Sequence, residues 1–233
     1  MDLLLSSPIL PPKRAAVLLL AALAQENSCN AVAIDRCNGV RALVDTLRCS
    51  TPAGEEQSTV LVAALTTLTR IAEDCPASRD EVRLHGGIHL IAGILQAWSN
   101  SADIAGEAAA CLGALATDNV ENQVVIGEQG AVQLLISAAE DSYGCRHPQL
   151  GFLSVLHRIS TLHTANRERI ENLKGEAFLQ MVLQMGQPAK KRHHGVGVVC
   201  PGDLFSAFVI GFLSYHALRE LCAHVCSVVS FKR

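Results

Sequence analysis

The residues of this 233-residue chain best suited to chemistry are its thiols and imidazoles, nine cysteines and nine histidines. The cysteines stand at 29, 37, 49, 75, 111, 145, 200, 222 and 226. Their number is odd, their gaps are irregular and no Cys-x-x-Cys pair occurs. A disulfide framework would need an even, regularly spaced set in a small secreted domain, so reduced thiols that pack as small apolar residues are expected. The densest group is His216, Cys222, His224 and Cys226. Structural zinc needs four convergent ligands. Cys222 and Cys226 share a helix face at i, i+4, but His224 would point away from it, so no metal is expected. No Gly-x-Ser-x-Gly elbow, phosphate loop or His-Glu-x-x-His is present, and Gly195-Val-Gly197 lacks the third glycine of a dinucleotide loop. Lys190, Lys191 and Arg192, flanked by histidines, read as a solvated linker. The pattern predicts neither a catalytic residue nor a cofactor.

The elements that would position such groups follow from composition. Apolar residues make up 49%, charged residues 18% and aromatic residues 4%, with a formal net charge of −3. That apolar content excludes a disordered chain, and the near-neutral balance argues against a dedicated nucleic-acid binder. Leu and Ala supply 31 residues each, which favours closely packed helices. Lys13 and Arg14 precede an apolar run at 15–23 that resembles a signal peptide, but the repeat register makes it a helix instead. The apolar run at 204–218 is 15 residues long, whereas a membrane span needs about 20, so a buried helix is the better reading.

Self-similarity is the informative feature. Gly39, Gly87, Gly130 and Gly175 open leucine-rich segments at separations of 48, 43 and 45 residues. Ile34, Val82, Val125 and Ile170 stand five positions earlier. Leu43, Ile91, Leu134 and Leu179 stand four later, and Leu47, Leu95, Ala138 and Leu183 eight later. A second segment keeps step: Leu20 and Leu23 match Leu68 and Ile71, Leu112 and Leu115, then Leu156 and Ile159. A polar residue follows each: Asn30, Arg79, Asn122 and Asn166. Each unit predicts a short helix (122–129 in one), a glycine in the left-handed conformation that ends it, a second helix (131–139) and a third of about 15 residues. The helix at 102–116 is such a third helix, with Ala105, Ala108, Ala109 and Leu112 facing neighbours. Units of this kind are apolar on both sides and must stack.

The residues Asn122-Gln-Val-Val-Ile-Gly-Glu-Gln-Gly130-Ala-Val-Gln-Leu-Leu and Glu107-Ala-Ala-Ala-Cys-Leu-Gly-Ala-Leu-Ala116 resemble armadillo repeats, over roughly 12–185. The order of segments and the Gly-Gly-Ile onset look most like the armadillo repeat-containing protein six type. The resemblance implies an all-α, right-handed superhelical solenoid of three-helix repeats, whose third helices line a groove that binds partner proteins or extended peptides without chemistry. Importin-α-like members hold a basic peptide on a tryptophan–asparagine ladder. The corresponding positions here are Leu19, Thr67, Cys111 and Val155, then Ala22, Arg70, Ala114 and Arg158, so neither column matches. The partner-binding groove is expected at Thr67, Arg70, Asp74, Glu107, Cys111, Ala114, Asp118, Val155, Arg158 and Leu162. Arg70 and Arg158 suit carboxylates of a partner. Trp98, in a loop between second and third helices, reads as a lid on the core.

The expected organisation is a solenoid over 1–185, with units near 1–38, 39–86, 87–129 and 130–174 and a partial unit from 175, incomplete at both ends. An irregular linker and apolar tail occupy 186–233. A chain that begins and ends inside repeats reads as a fragment or variant of a longer solenoid. The function expected is a non-enzymatic protein–protein interaction scaffold, in the cytoplasm or the nucleus, with no nucleic-acid partner. The alternative is a membrane-attached adaptor anchored through 204–231.

Overall fold

A computed structural model describes residues 11–25, 27–49, 55–141 and 146–184. The apolar start at 1–10, the basic stretch at 190–192, the thiol–imidazole group at 216–226 and the apolar tail lie outside the described residues.

Every described element is an α-helix. The helix α1 (Pro11–Ala24) is followed by three triplets, each a nine-residue helix, an eleven-residue helix and a longer one. They are α2 (Ser28–Arg36), α3 (Gly39–Cys49) and α4 (Glu55–Asp74); α5 (Pro76–Leu84), α6 (Gly87–Ala97) and α7 (Ala102–Ala116); and α8 (Val120–Glu128), α9 (Ala131–Asp141) and α10 (Arg146–Ser160). The pair α11 (Thr164–Lys174) and α12 (Glu176–Gln184) completes the described chain. The long helices α1, α4, α7 and α10 pack side by side in that order.

Local chemistry sets these boundaries. Asn27 and Asn119 cap α2 and α8, accepting hydrogen bonds from the amides of Asn30 (3.1 Å) and Asn122 (2.9 Å). The cap at Asn119 starts the first helix of that unit at Val120, two residues before the expected 122. Pro76 opens α5, where its missing N–H costs nothing.

The glycine column needs a correction. The left-handed residue between first and second helices is Asn38 (φ 59°), Gly86 (φ 74°) and Gly130 (φ 73°) in successive units. Gly39 and Gly87 stand one position later, as first residues of α3 and α6, and serve close approach instead. A Cβ on Gly39 would lie 2.4 Å from the Ile34 carbonyl oxygen, and one on Gly87 2.5 Å from Val82 Cγ1. The repeat tolerates Asn at the left-handed position because its short polar side chain suits that conformation. The apolar register of α9 shifts with it. Leu135 and Ala139 fill the core, while Leu134 and Ala138 are half-buried.

One apolar core runs through all the units. Leu68, Ile71, Leu112, Leu115, Leu156 and Ile159 are completely buried, as are Ala108 and the two leucines Leu43 and Leu65. Trp98 ends α6, half-buried against this core.

The polar column is a second fastening. Asn30, Arg79, Asn122 and Asn166 each donate to the carbonyl seven residues earlier, at Leu23, Ala72, Leu115 and Ile159, at 2.7–2.9 Å. Those carbonyls end the third helices and have no partner within their own helix. Asn122 also donates to Arg79 O (3.1 Å) and Asn166 to Gln123 O (2.8 Å), tying each first helix to its predecessor. Arg79 reaches the other way, to Thr117 O at 2.6 Å. Asn119–Asp80 (3.0 Å) and Arg83–Glu121 (2.5 Å) extend the seam between α5 and α8. The Asn119 amide, then the Arg83 guanidinium, hold the Asp80 carboxyl below its usual range.

Candidate functional site

The third helices turn one face to the core and leave the other open. On that face α4, α7 and α10 bound a cleft of about 270 Å³. Thr69 and Glu73 come from α4, Gly106, Ala109 and Ala110 from α7, and Gly151, Phe152, Ser154, Val155 and Arg158 from α10. The floor is apolar, since Ala109, Phe152 and Val155 are buried core residues whose surfaces reach the cleft. Gly106 on α7 and Gly151 on α10 line the cleft without side chains. A Cβ added to Gly106 or Gly151 would meet nothing within 4 Å.

The cleft carries charge at two points. Glu73 is held by Arg70 one turn earlier on α4, at 3.2 Å. Glu107, just behind the cleft, accepts a hydrogen bond from Thr66 Oγ1 at 2.9 Å and so bridges α7 to α4. Arg158 is exposed, and no ion pair or hydrogen bond engages its guanidinium among the described residues.

The expected groove residues divide by position. Val155 and Arg158 line the cleft, and Arg70 stands beside it in its pair with Glu73. Thr67, Cys111 and Ala114 are buried between neighbouring third helices. The Thr67 hydroxyl donates to Ala63 O at 2.7 Å. Burial pushes the Cys111 thiol up to about 12, which makes it a packing residue without reactivity at neutral pH. Asp74, Asp118 and Leu162 lie exposed at or just beyond the C-terminal ends of α4, α7 and α10, away from the cleft. The Leu162 amide donates to Gln123 Oε1 at 3.2 Å.

Sequence reasoning missed Thr69, Glu73, Gly106, Ala109, Ala110, Gly151, Phe152 and Ser154. The signal available for two of them was glycine inside helix patterns, which weakens a helix and so asks for another reason. Among the described residues no group of three or more His, Cys, Asp or Glu side chains converges to hold a metal. Nor is any described helix long and apolar enough to cross a membrane.

Solved structures of similar fold include designed armadillo repeat proteins. A designed armadillo repeat protein in complex with the peptide (KR)4 is 17% identical, with a TM-score of 0.62 over 81% of this chain and 73% of that one. Another designed armadillo repeat protein is 14% identical, with a TM-score of 0.53 over 90% of this chain and 97% of its own. An engineered protein is 20% identical with a TM-score of 0.65, and 91% of this chain matches 46% of it. No protein-family model matches the sequence, and no curated protein matches it. The fold is therefore an all-α solenoid of the armadillo-repeat kind. These likenesses give no support to the armadillo repeat-containing protein six type in particular.

Proposed function

We propose that this chain is a non-enzymatic scaffold that holds a partner protein, or an extended segment of one, along the groove formed by α4, α7 and α10. The observation that carries the reading is the cleft itself. It crosses three consecutive third helices, its floor is apolar, and two of its lining residues are glycines with open space at the Cβ position. A neighbour of the same fold solved in complex with a peptide supports a peptide-like ligand. Arg158 and Val155 line the cleft and Arg70 and Glu107 border it, Asp74, Asp118 and Leu162 extend the groove surface beyond it at the helix ends, and Thr67, Cys111 and Ala114 hold the helices that present it. Affinity then comes from many small contacts around a few anchors. No cofactor takes part. The odd number and irregular spacing of the nine cysteines favour a reducing compartment, the cytoplasm or the nucleus.

A peptide array followed by partner pull-down, comparing the wild type with the double variant Arg70→Glu/Arg158→Glu, tests this. The expected result is a loss of affinity of about tenfold or more for the ligands recovered, about 1.4 kcal/mol. Unchanged binding to every ligand would remove the groove assignment.

A further inference from the structure

We infer that the cleft selects a peptide carrying one apolar side chain and, within two residues of it, a carboxylate; the inference rests on the groove reading above. Size comes first. At about 270 Å³ the cleft falls just short of the range for small-molecule sites, and its floor of Ala109, Phe152 and Val155 suits a single inserted side chain. Charge decides the neighbour. Arg70 is neutralised by Glu73, at 3.2 Å, and Glu107 is engaged by Thr66. Arg158 lines the same cleft with no ion pair or hydrogen bond to its guanidinium among the described residues, since Glu73, the other charged residue of the lining, is paired with Arg70. A planar guanidinium with free donors is complementary to a carboxylate and repels Lys or Arg at the same place. The two arginines of the groove are thus unequal. Arg158 is the anion anchor, and Arg70 is a helix-surface ion pair.

The glycines permit a second, independent handle. A Cβ at Gly106 meets open space on an α-helix, so Gly106→Leu adds bulk at the cleft and removes a weak helix former. The fold should tolerate it and the ligand should not.

The full chain is panned against a phage-displayed library of random octapeptides, with (KR)4 as a fixed probe. The enriched peptides are expected to pair Leu, Ile, Met or Phe with a nearby Asp or Glu, and to bind better than (KR)4. Arg158→Glu and Gly106→Leu should each weaken them by about tenfold or more, and Arg70→Glu by less than about threefold. The melting temperature of Gly106→Leu should not fall. Enrichment of Lys- or Arg-rich peptides, or peptide binding weakened by Arg70→Glu but not by Arg158→Glu, would overturn the inference and leave the groove reading standing, whereas binding indifferent to both arginine variants would overturn the two together. Enrichment of no peptide at all would overturn both.

Discussion

Asn122 and Asn166 each hold two backbone carbonyls with one amide nitrogen, one at the end of a third helix and one on the preceding first helix. Both residues are fully buried, so replacing either with Ala strands two acceptors away from water. Asn122→Ala and Asn166→Ala are each expected to cost about 1–3 kcal/mol, read from the urea midpoint. Their spacing was plain in the sequence. Their role was not, because the bond to a residue seven positions back depends on a sharp helix–helix turn that spacing does not specify. Cysteine reactivity gives a second residue-scale check. Cys111 is buried and its thiol is pushed up to about 12, whereas Cys29, Cys37 and Cys49 are exposed. Iodoacetamide labelling of the native chain, read peptide by peptide, should modify those three and spare Cys111 until urea unfolds the protein. Rapid labelling of Cys111 in the folded chain would contradict its placement.

Between helices, the repeat depends on where a backbone can approach. Gly127 on α8 faces α11 so closely that a Cβ would lie 1.9 Å from Asn166 Oδ1. Gly93 on α6 has nothing within 4 Å of its absent Cβ. Gly93→Ala should therefore stabilise the chain by about 0.5–1 kcal/mol. Gly127→Ala should destabilise it despite the same gain in helix propensity, and the sign of the difference in melting temperature checks the pair. The seam between α5 and α8 adds a pH dependence. The Asp80 carboxyl is held below its ordinary 3.8 by Asn119 and Arg83. A depressed folded value means that its contribution is present above about pH 4 and is lost as pH falls through the folded value. Asp80→Asn should accordingly flatten the fall in urea midpoint on acidification and leave the shape of the neutral-pH profile unchanged. Helix existence and the bounds of α7 at 102–116 were legible from periodicity. The glycine register slipped by one because Gly86-Gly87 offers two candidates, and Asn38 fills the left-handed position where a glycine was sought.

Over the whole molecule, the stacking rule shows most clearly where it is interrupted. In α4, α7 and α10 the residues equivalent to Leu19 and Leu23 are Thr67 and Ile71, Cys111 and Leu115, and Val155 and Ile159, all buried. On α1, Leu19 is 60% exposed and Leu23 45% exposed. Leu115→Ala should cost about 2–5 kcal/mol, and Leu19→Ser less than about 0.5 kcal/mol, by chemical denaturation. The sequence revealed this stack because a solenoid repeats its burial pattern at one period. It did not reveal the cleft, because an open space between three helices leaves a trace only in what is missing, the side chains of Gly106 and Gly151. The same columns put Thr67 and Cys111 among the expected groove residues, because both look like surface positions until α1, α4, α7 and α10 are packed side by side and bury them. The claim that these helices carry a partner-binding groove is tested most directly by methyl NMR of the full chain, titrated with a peptide selected from the library. The expected shifts fall on Ala109, Ala110 and Val155 and fade in Gly106→Leu. Shifts confined to the second helices α3, α6 and α9, with these three residues unmoved, would contradict it.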